Sequence, residues 1–373
     1  MAWIEIDAAA LTHNARVLRR AIPPSSRLGI LVKANGYGHG MTVAARAALD
    51  GGADLLVVAT PDEGLALRRA EPDADILVAY AIPPDGIREA IEARLEASVG
   101  GVDSARRTLA AAERAGGTLQ VHVEVDSGMG RGGVTPDDLL DVVASIDASP
   151  AVELVGIWTH LANGMEPEAS QRQIATYEAA LDAVATTGRA LPLRHVAASE
   201  GLFVETSPPY DLVRIGLAYY GTVGVGIDPT PAMAALAAEL RPAMTVAARP
   251  VRVEEIAAGT TIGYGSEFTT TRASRIATLP IGYADGWTRR YWPGAGALVR
   301  GQRVPLVGRV SMDSVCADVT DVEGVTADDT FVLLGAQGDL RITVEELALL
   351  RGTVANEVLC DFGPRLARRI SGA

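Results

Sequence analysis

The chain has 373 residues, 48% hydrophobic and 21% charged, which is enough apolar surface for a sizeable core, suggests two domains by length, and excludes a disordered segment. Acidic residues outnumber basic ones 46 to 33, a net charge of −13, and a surface that acidic repels both nucleic-acid phosphates and anionic lipid. Two cysteines, Cys316 and Cys360, are too few for a disulfide framework or a zinc cluster and fit a reducing compartment.

Short β-branched runs, apolar on both faces, predict parallel strands over Leu28–Lys33, Asp54–Ala59, Asp75–Tyr80, Ala97–Val102, Leu119–Asp126, Leu154–His160, Leu193–Ala198 and Leu212–Leu217. Between them lie segments of helical period: Thr42–Asp50, Asp62–Arg69, Asp85–Leu95, Asp103–Ala115, Pro136–Asp147 and Glu168–Ala185. Many open on Asp, Thr or Pro, which start helices. This is an α/β chain, and eight β/α units in succession read as a (β/α)8 TIM barrel over residues 8–240 rather than an open sheet. Beyond Arg241-Pro242 the character changes. Strands are predicted at Met244–Ile256, Ser274–Ile281, Ala297–Arg300, Val304–Val307, Val315–Val319 and Thr330–Leu334, with one helix around Val344–Leu350. Residues 241–373 therefore read as a C-terminal mostly-β domain. No stretch approaches the ~18 apolar residues of a membrane span. Met1–Asp7, with Glu5 and Asp7, lacks the basic and apolar regions of a leader. The expectation is a soluble cytoplasmic protein.

Chemistry in such a barrel sits at the C-terminal ends of the strands. Here the first strand ends in Lys33, the fifth in Glu124 and Asp126 with Arg131 just beyond, and the sixth in His160. The seventh runs into Ser199, and the eighth carries Arg214 before Ile215-Gly216-Leu217. Any one of these reads as well as a solvated loop residue. Charges gathered at one rim point instead to a ligand or a paired network, because isolated buried charge is costly. A lysine ending an apolar strand, desolvated and near other cations, has a lowered pKa, as Schiff-base chemistry requires. Tyr37 can cover the same mouth, and the N–H groups of Gly216 and Leu217 stand where barrels often hold phosphate. An amine beside a phosphate seat points to pyridoxal 5′-phosphate.

The run Lys33-Ala34-Asn35-Gly36-Tyr37-Gly38-His39-Gly40 resembles the cofactor-lysine signature of the alanine racemase family, a fold type III pyridoxal phosphate family. Later blocks resemble that family in family order: Asp126-Ser127-Gly128-Met129-Gly130-Arg131, Ile262-Gly263-Tyr264-Gly265, Ile281-Gly282-Tyr283-Ala284-Asp285-Gly286 and Gly308-Arg309-Val310-Ser311-Met312-Asp313. The resemblance implies a barrel bearing pyridoxal phosphate and a β domain that Met1–Asp7 crosses back to join. It also implies a head-to-tail homodimer with shared active sites, and interconversion of L- and D-alanine by two bases, Lys33 and the partner subunit's Tyr264. Arg214 resembles the arginine on the pyridine nitrogen, and His160 the imidazole bridging it towards the tyrosine. Tyr37, Ser199, Gly216 and Leu217 resemble the phosphate seat. Arg131 and the Met312 N–H resemble the groups that meet the substrate carboxylate, with Tyr283 and Asp313 at the entrance. No metal is implied.

Three positions depart from the family pattern. Glu124 stands where many members have a lysine, often carbamylated; its carboxylate can orient Arg131 without CO₂, or it pairs with a different base. Ala198 stands where an asparagine is common. Asn356 stands where a tyrosine usually reaches the phosphate from the partner subunit, which widens the mouth. Lysine and tyrosine have ordinary pKa values near ~10, so both bases need lowering, and Arg214–His160 cationic character is expected to lower Tyr264. Rival readings are a racemase of another amino acid such as serine, a decarboxylase of the same fold type, a single-barrel cofactor carrier and a barrel aldolase using Lys33 alone. Decarboxylases place a cysteine opposite the lysine, and neither Cys316 nor Cys360 lies in a matching block.

Overall fold

The computed structural model describes residues 1–372. Its chain opens with β1 (Ala2–Asp7) and divides into two compact units. One comprises Leu11–Gly36 and Met41–Arg241; the other comprises Met1–Ala10, Tyr37–Gly40 and the chain from Pro242 onward.

The first unit holds β2 (Arg27–Leu31), β3 (Leu55–Val58), β4 (Ile76–Val78), β5 (Glu96–Val99), β6 (Leu119–Glu124), β7 (Val152–Trp158), β8 (Leu193–His195) and β9 (Leu212–Ile215). All pair in parallel in the order β8-β7-β6-β5-β4-β3-β2-β9. The seam between β8 and β9 is bridged by Asp211 N–H to Arg194 O (3.0 Å) and Arg214 N–H to Ala197 O (2.9 Å). A bidentate pair, Arg194 Nε to Asp211 Oδ2 (2.7 Å) and Nη2 to Oδ1 (3.0 Å), pins it further. This is a nearly closed eight-stranded barrel, as predicted. Strands β3 and β4 are buried throughout, as parallel strands under helices must be. Each of the five strands that lead to site residues stops short of its predicted end. Asp126 and His160 therefore lie in the loops just past β6 and β7, and Lys33 and Ser199 open the short helical turns that follow β2 and β8.

One of those turns is unusual. Ala34, Asn35, Gly36 and Tyr37 all have left-handed backbone, with φ of 52°, 54°, 62° and 48°. At non-glycine residues this costs about 1–2 kcal/mol each. Three bonds hold the segment: Gly36 N–H to Val32 O (2.8 Å), Ala34 N–H to Glu63 Oε1 (2.7 Å) and Met41 N–H to Asn35 Oδ1 (3.0 Å). Glu63 itself belongs to a capping box. Thr60 Oγ1 accepts from Glu63 N–H (3.3 Å) and Glu63 Oε2 accepts from Thr60 N–H (3.2 Å) at the start of the helix Pro61–Ala70.

The second unit contains β10 (Met244–Ala248), β11 (Arg252–Ile256), β12 (Thr261–Ile262), β13 (Phe268–Thr269), β14 (Ser274–Leu279), β15 (Gly296–Val299), β16 (Gln302–Val307), β17 (Val315–Asp318), β18 (Phe331–Gln337), β19 (Leu340–Ile342) and β20 (Ala367–Ser371). Its main sheet runs β11-β14-β17-β16-β15-β18-β10-β1-β20, with β19 on β18. Strand β1 lies between β10, antiparallel, and β20, parallel, so the N-terminal segment joins the β domain. The single predicted run Met244–Ile256 is two strands. Pro250 lacks an N–H and restricts Arg249, which breaks the ladder there. The hairpin β12–β13, the strands β19 and β20, and the helix Ala355–Asp361 were not anticipated. The predicted late helix spans Val344–Arg351, capped by Thr343 Oγ1 on Glu346 N–H (3.2 Å). Among the described residues no helix is long and apolar enough to cross a membrane.

Candidate active site

Lys33 follows β2 directly, and it is the only lysine in the chain. Across the barrel end, Asp126 builds the loop that carries Arg131. Its Oδ1 accepts from the N–H groups of Gly128 (2.9 Å), Met129 (2.9 Å) and Gly130 (3.0 Å). Those backbone bonds, that of Gly130 foremost, hold the Asp126 carboxyl below its usual range. Gly133, at φ 103°, closes the loop where an added Cβ would lie 2.4 Å from Asp126 N. Arg131 thereby returns to Glu124, with Nη2 3.6 Å from Oε1. Burial pushes the Glu124 carboxyl up, against the opposing charges of Arg131 and Arg214.

Arg214 is 7% exposed. Its Nη2 donates to Thr159 O (2.9 Å) and Val196 O (3.3 Å), and its guanidinium carbon stands 4.7 Å from the centre of the Trp158 ring. Burial lowers its pKa to about 10, so it stays charged at neutral pH. The imidazole against it is His195, whose Nδ1 is 2.7 Å from Arg214 Nη1, in place of the His160 expected from the sequence. His160 is nearby, and burial followed by the charges of Arg214, Arg131 and Lys33 pushes its pKa down to about 3. Burial first, then the three neighbouring cations, favour a neutral His160 and leave the positive charge of the pair on Arg214.

Ser199 opens the short helix Ser199–Phe203. Its Oγ accepts from the N–H groups of Gly216 (3.2 Å) and Ala218 (3.3 Å), which leaves its own hydroxyl hydrogen to donate. Leu217 begins the 3-10 turn Leu217–Tyr220. Ala198 is the N-cap of the Ser199 helix and supplies no side-chain cap. The barrel end thus gathers Lys33, Arg131 and Arg214 around a neutral histidine, with hydroxyl and amide donors beside them. That donor set fits pyridoxal phosphate, which is an anion at its phosphate and phenolate and an acceptor at its ring nitrogen.

The remaining predicted residues lie in the other unit. Tyr37 is buried, its phenol is hydrogen-bonded to the Asn356 side chain, and burial raises its pKa. Asn356 therefore meets Tyr37 within one chain, where the family pattern had suggested a reach from the partner. Tyr264 sits on the β12–β13 connection, 71% exposed, after Gly263 at φ 76°, whose added Cβ would lie 3.0 Å from Arg309 N. Tyr283 and Met312 are 44% and 52% exposed. Their loops are joined by Tyr283 N–H to Ser311 O (3.1 Å) and Ala284 N–H to Met312 O (3.0 Å). Gly282 is obligatory there, since a Cβ would lie 2.4 Å from Met312 O. Arg365 ties Asp285 (3.2 Å) to Asp313 (2.7 Å) behind them.

Family models for the N-terminal and C-terminal domains of alanine racemase match residues 6–223 and 243–370. The chain belongs to the alanine racemase family. A curated alanine racemase from Symbiobacterium thermophilum is 39% identical over 99% of this chain and 97% of its own. One from Syntrophobacter fumaroxidans is 37% identical over 97% and 95%. Among solved structures, the alanine racemase of the D-cycloserine producer Streptomyces lavendulae superposes with a TM-score of 0.92 at 34% identity, covering 100% of this chain and 97% of that one. That of Streptomyces coelicolor gives 0.92 at 33%, covering 100% and 98%. As a member of the alanine racemase family the chain is an isomerase. Sequence reading missed His195, His122, Glu96 and Thr159, all buried in or beside the barrel strands. The signal was present: a histidine inside an otherwise apolar strand buried on both faces has to be satisfied by a partner.

Proposed function

We propose that this protein interconverts L- and D-alanine with pyridoxal 5′-phosphate, as a homodimer in the cytoplasm, using Lys33 and the partner subunit's Tyr264 as the two bases. Family membership over nearly the whole chain supports the reaction. The observation that carries the site is the single lysine, placed at the end of β2 among Arg131, Arg214 and neutral His160. When bound, the cofactor supplies an electron sink that lets the substrate's α-proton leave at neutral pH.

Lys33 would hold the cofactor's carbonyl carbon and, once displaced by substrate, move a proton on one face of Cα; Tyr264 would move one on the other. Ser199, Gly216, Leu217 and Tyr37 would take the phosphate, with Asn356 acting through Tyr37. Arg214 would donate to the ring nitrogen without giving up its proton, since even buried its pKa is about 10. A ring nitrogen left unprotonated is a weaker sink, which favours return of the proton to Cα over its transfer elsewhere. His160, being neutral, can accept a hydrogen bond from the Tyr264 phenol. Arg131, held by Glu124, and the Met312 N–H would orient the substrate carboxylate, with Tyr283 and Asp313 at the entrance. Two exposed tyrosines and an exposed methionine at positions 264, 283 and 312 support a second subunit that covers them.

A chiral assay of purified protein with added cofactor and a panel of L-amino acids tests this reading. L- and D-alanine are expected to converge on one equimolar mixture from either side, with the carboxylate retained. Release of CO₂, or faster turnover of another amino acid such as serine, would overturn the assignment to alanine.

A further inference from the structure

A continuous file of buried side chains runs through the barrel unit behind Arg214. From Arg214 Nη1 it passes to His195 Nδ1 at 2.7 Å, from His195 Nε2 to His122 Nδ1 at 2.9 Å, and from His122 Nε2 to Glu96 Oε2 at 2.7 Å. Both imidazoles are wholly buried. They stand on β6 and β8, which are separated by β7. The gap on β7 is Gly156, where an added Cβ would lie 2.0 Å from His122 Nδ1, so this glycine leaves the space that the His122 ring fills.

The direction of every bond in the file follows from its ends. A guanidinium only donates, so His195 Nδ1 must accept. A neutral His195 then carries its proton on Nε2 and donates to His122 Nδ1. That nitrogen is thereby an acceptor too, which places the His122 proton on Nε2, directed at the Glu96 carboxylate. An imidazolium at either histidine, or the other tautomer, sets two donors face to face somewhere along the file. A supporting direction agrees: burial holds His195 well below its ordinary pKa.

We propose that Glu96, His122 and His195 are positioning residues for Arg214: the guanidinium at one end and the carboxylate at the other are satisfied together by one tautomer at each imidazole, and the lone pair delivered at His195 Nδ1 fixes how the guanidinium faces the cofactor ring. This rests on the reading of Arg214 as the arginine at the ring nitrogen. The file gives Arg214 a partner that accepts without being a counter-anion, so the arginine is oriented while its charge stays available to the site.

Long-range ¹H–¹⁵N correlation spectra of the cofactor-loaded protein, labelled at its five histidines and assigned by single replacement, test the lock directly. His122 and His195 are expected to be neutral and protonated at Nε2 only. Glu96→Gln keeps a carbonyl acceptor and is expected to retain both tautomers and near-native turnover. Glu96→Leu removes it, leaves the His122 Nε2 proton buried without an acceptor, and is expected to loosen the file and to lower the ratio of racemisation to transamination on the order of tenfold, as for other partners that orient a site residue. A Nδ1–H or imidazolium signal at His122 or His195 in the unmodified protein overturns the lock, whether or not Glu96→Leu folds. So does an unchanged ratio in a folded Glu96→Leu protein. The expected tautomers in a protein inactive on every amino acid would sink the activity and leave the lock standing; a racemase with Nδ1–H at His195 would do the reverse.

Discussion

At position 124 the chain places a carboxylate, and Arg131 comes back to meet it at 3.6 Å. Glu124→Gln leaves an amide that cannot make the charge-assisted pair. The expected result is a rise in KM for alanine of about three- to tenfold, the modest end of such effects because Arg131 is partly exposed. Activity of the unmodified protein is expected to be indifferent to added bicarbonate, and steady-state assays with and without it check this. The pair also sets a pH limit. Burial raises the Glu124 pKa, so its negative charge is lost as pH falls through a value above the ordinary carboxylate range. An acid limb is therefore expected in kcat/KM, and it is expected to vanish in Glu124→Gln. His160, with its pKa pushed to about 3, contributes no limb above pH 5. At this scale Lys33, Glu124 and His160 were legible because each breaks an apolar pattern at a strand end. The choice between His160 and His195 was not, because it depends on which imidazole a neighbouring strand brings within 2.7 Å of Arg214.

Among the elements, the eight strands were legible from composition alone, since strands under helices on both faces read as continuous apolar runs. The turn after β2 was not. Ala34 and Tyr37 are poor left-handed residues, with φ of 52° and 48°, and the turn that holds them is tied by long-range bonds such as Ala34 N–H to Glu63 Oε1, which local pattern does not reveal. Ala34→Gly is expected to relieve that strain and raise stability by up to about 1 kcal/mol. Gly36→Ala is expected to lower it by about 1–2 kcal/mol, since its φ is 62° and the new Cβ would lie 3.0 Å from the Ala44 Cβ. Thermal unfolding of the two variants, with cofactor affinity measured alongside, distinguishes these opposite signs. The split of β10 from β11 at Pro250 is the converse case: a break that was written in the sequence and read through.

For the whole molecule, two units supply two sets of residues. Lys33, Arg131, His160, Ser199 and Arg214 belong to the barrel unit, and Tyr264, Tyr283 and Met312 to the β unit. The sequence blocks pointed to both sets. The proposed homodimer would bring the two sets together across subunits, which no pattern within one chain encodes. If a site takes Lys33 from one chain and Tyr264 from the other, chains carrying Lys33→Ala and chains carrying Tyr264→Phe are each inactive alone. Mixed and re-paired at random, they are expected to regain roughly a quarter of the native activity, through mixed dimers with one intact site. No recovery in dimers shown by mass to be mixed would place both bases in one chain. The role of Lys33 is tested most directly by reducing the cofactor-loaded protein with borohydride and mapping the label by peptide mass. Because Lys33 is the only lysine, one pyridoxyl group per chain is expected, on the peptide that contains it, and none in Lys33→Ala. A label confined to the N-terminal amine, or an unlabelled protein that still racemises alanine, would contradict the assignment.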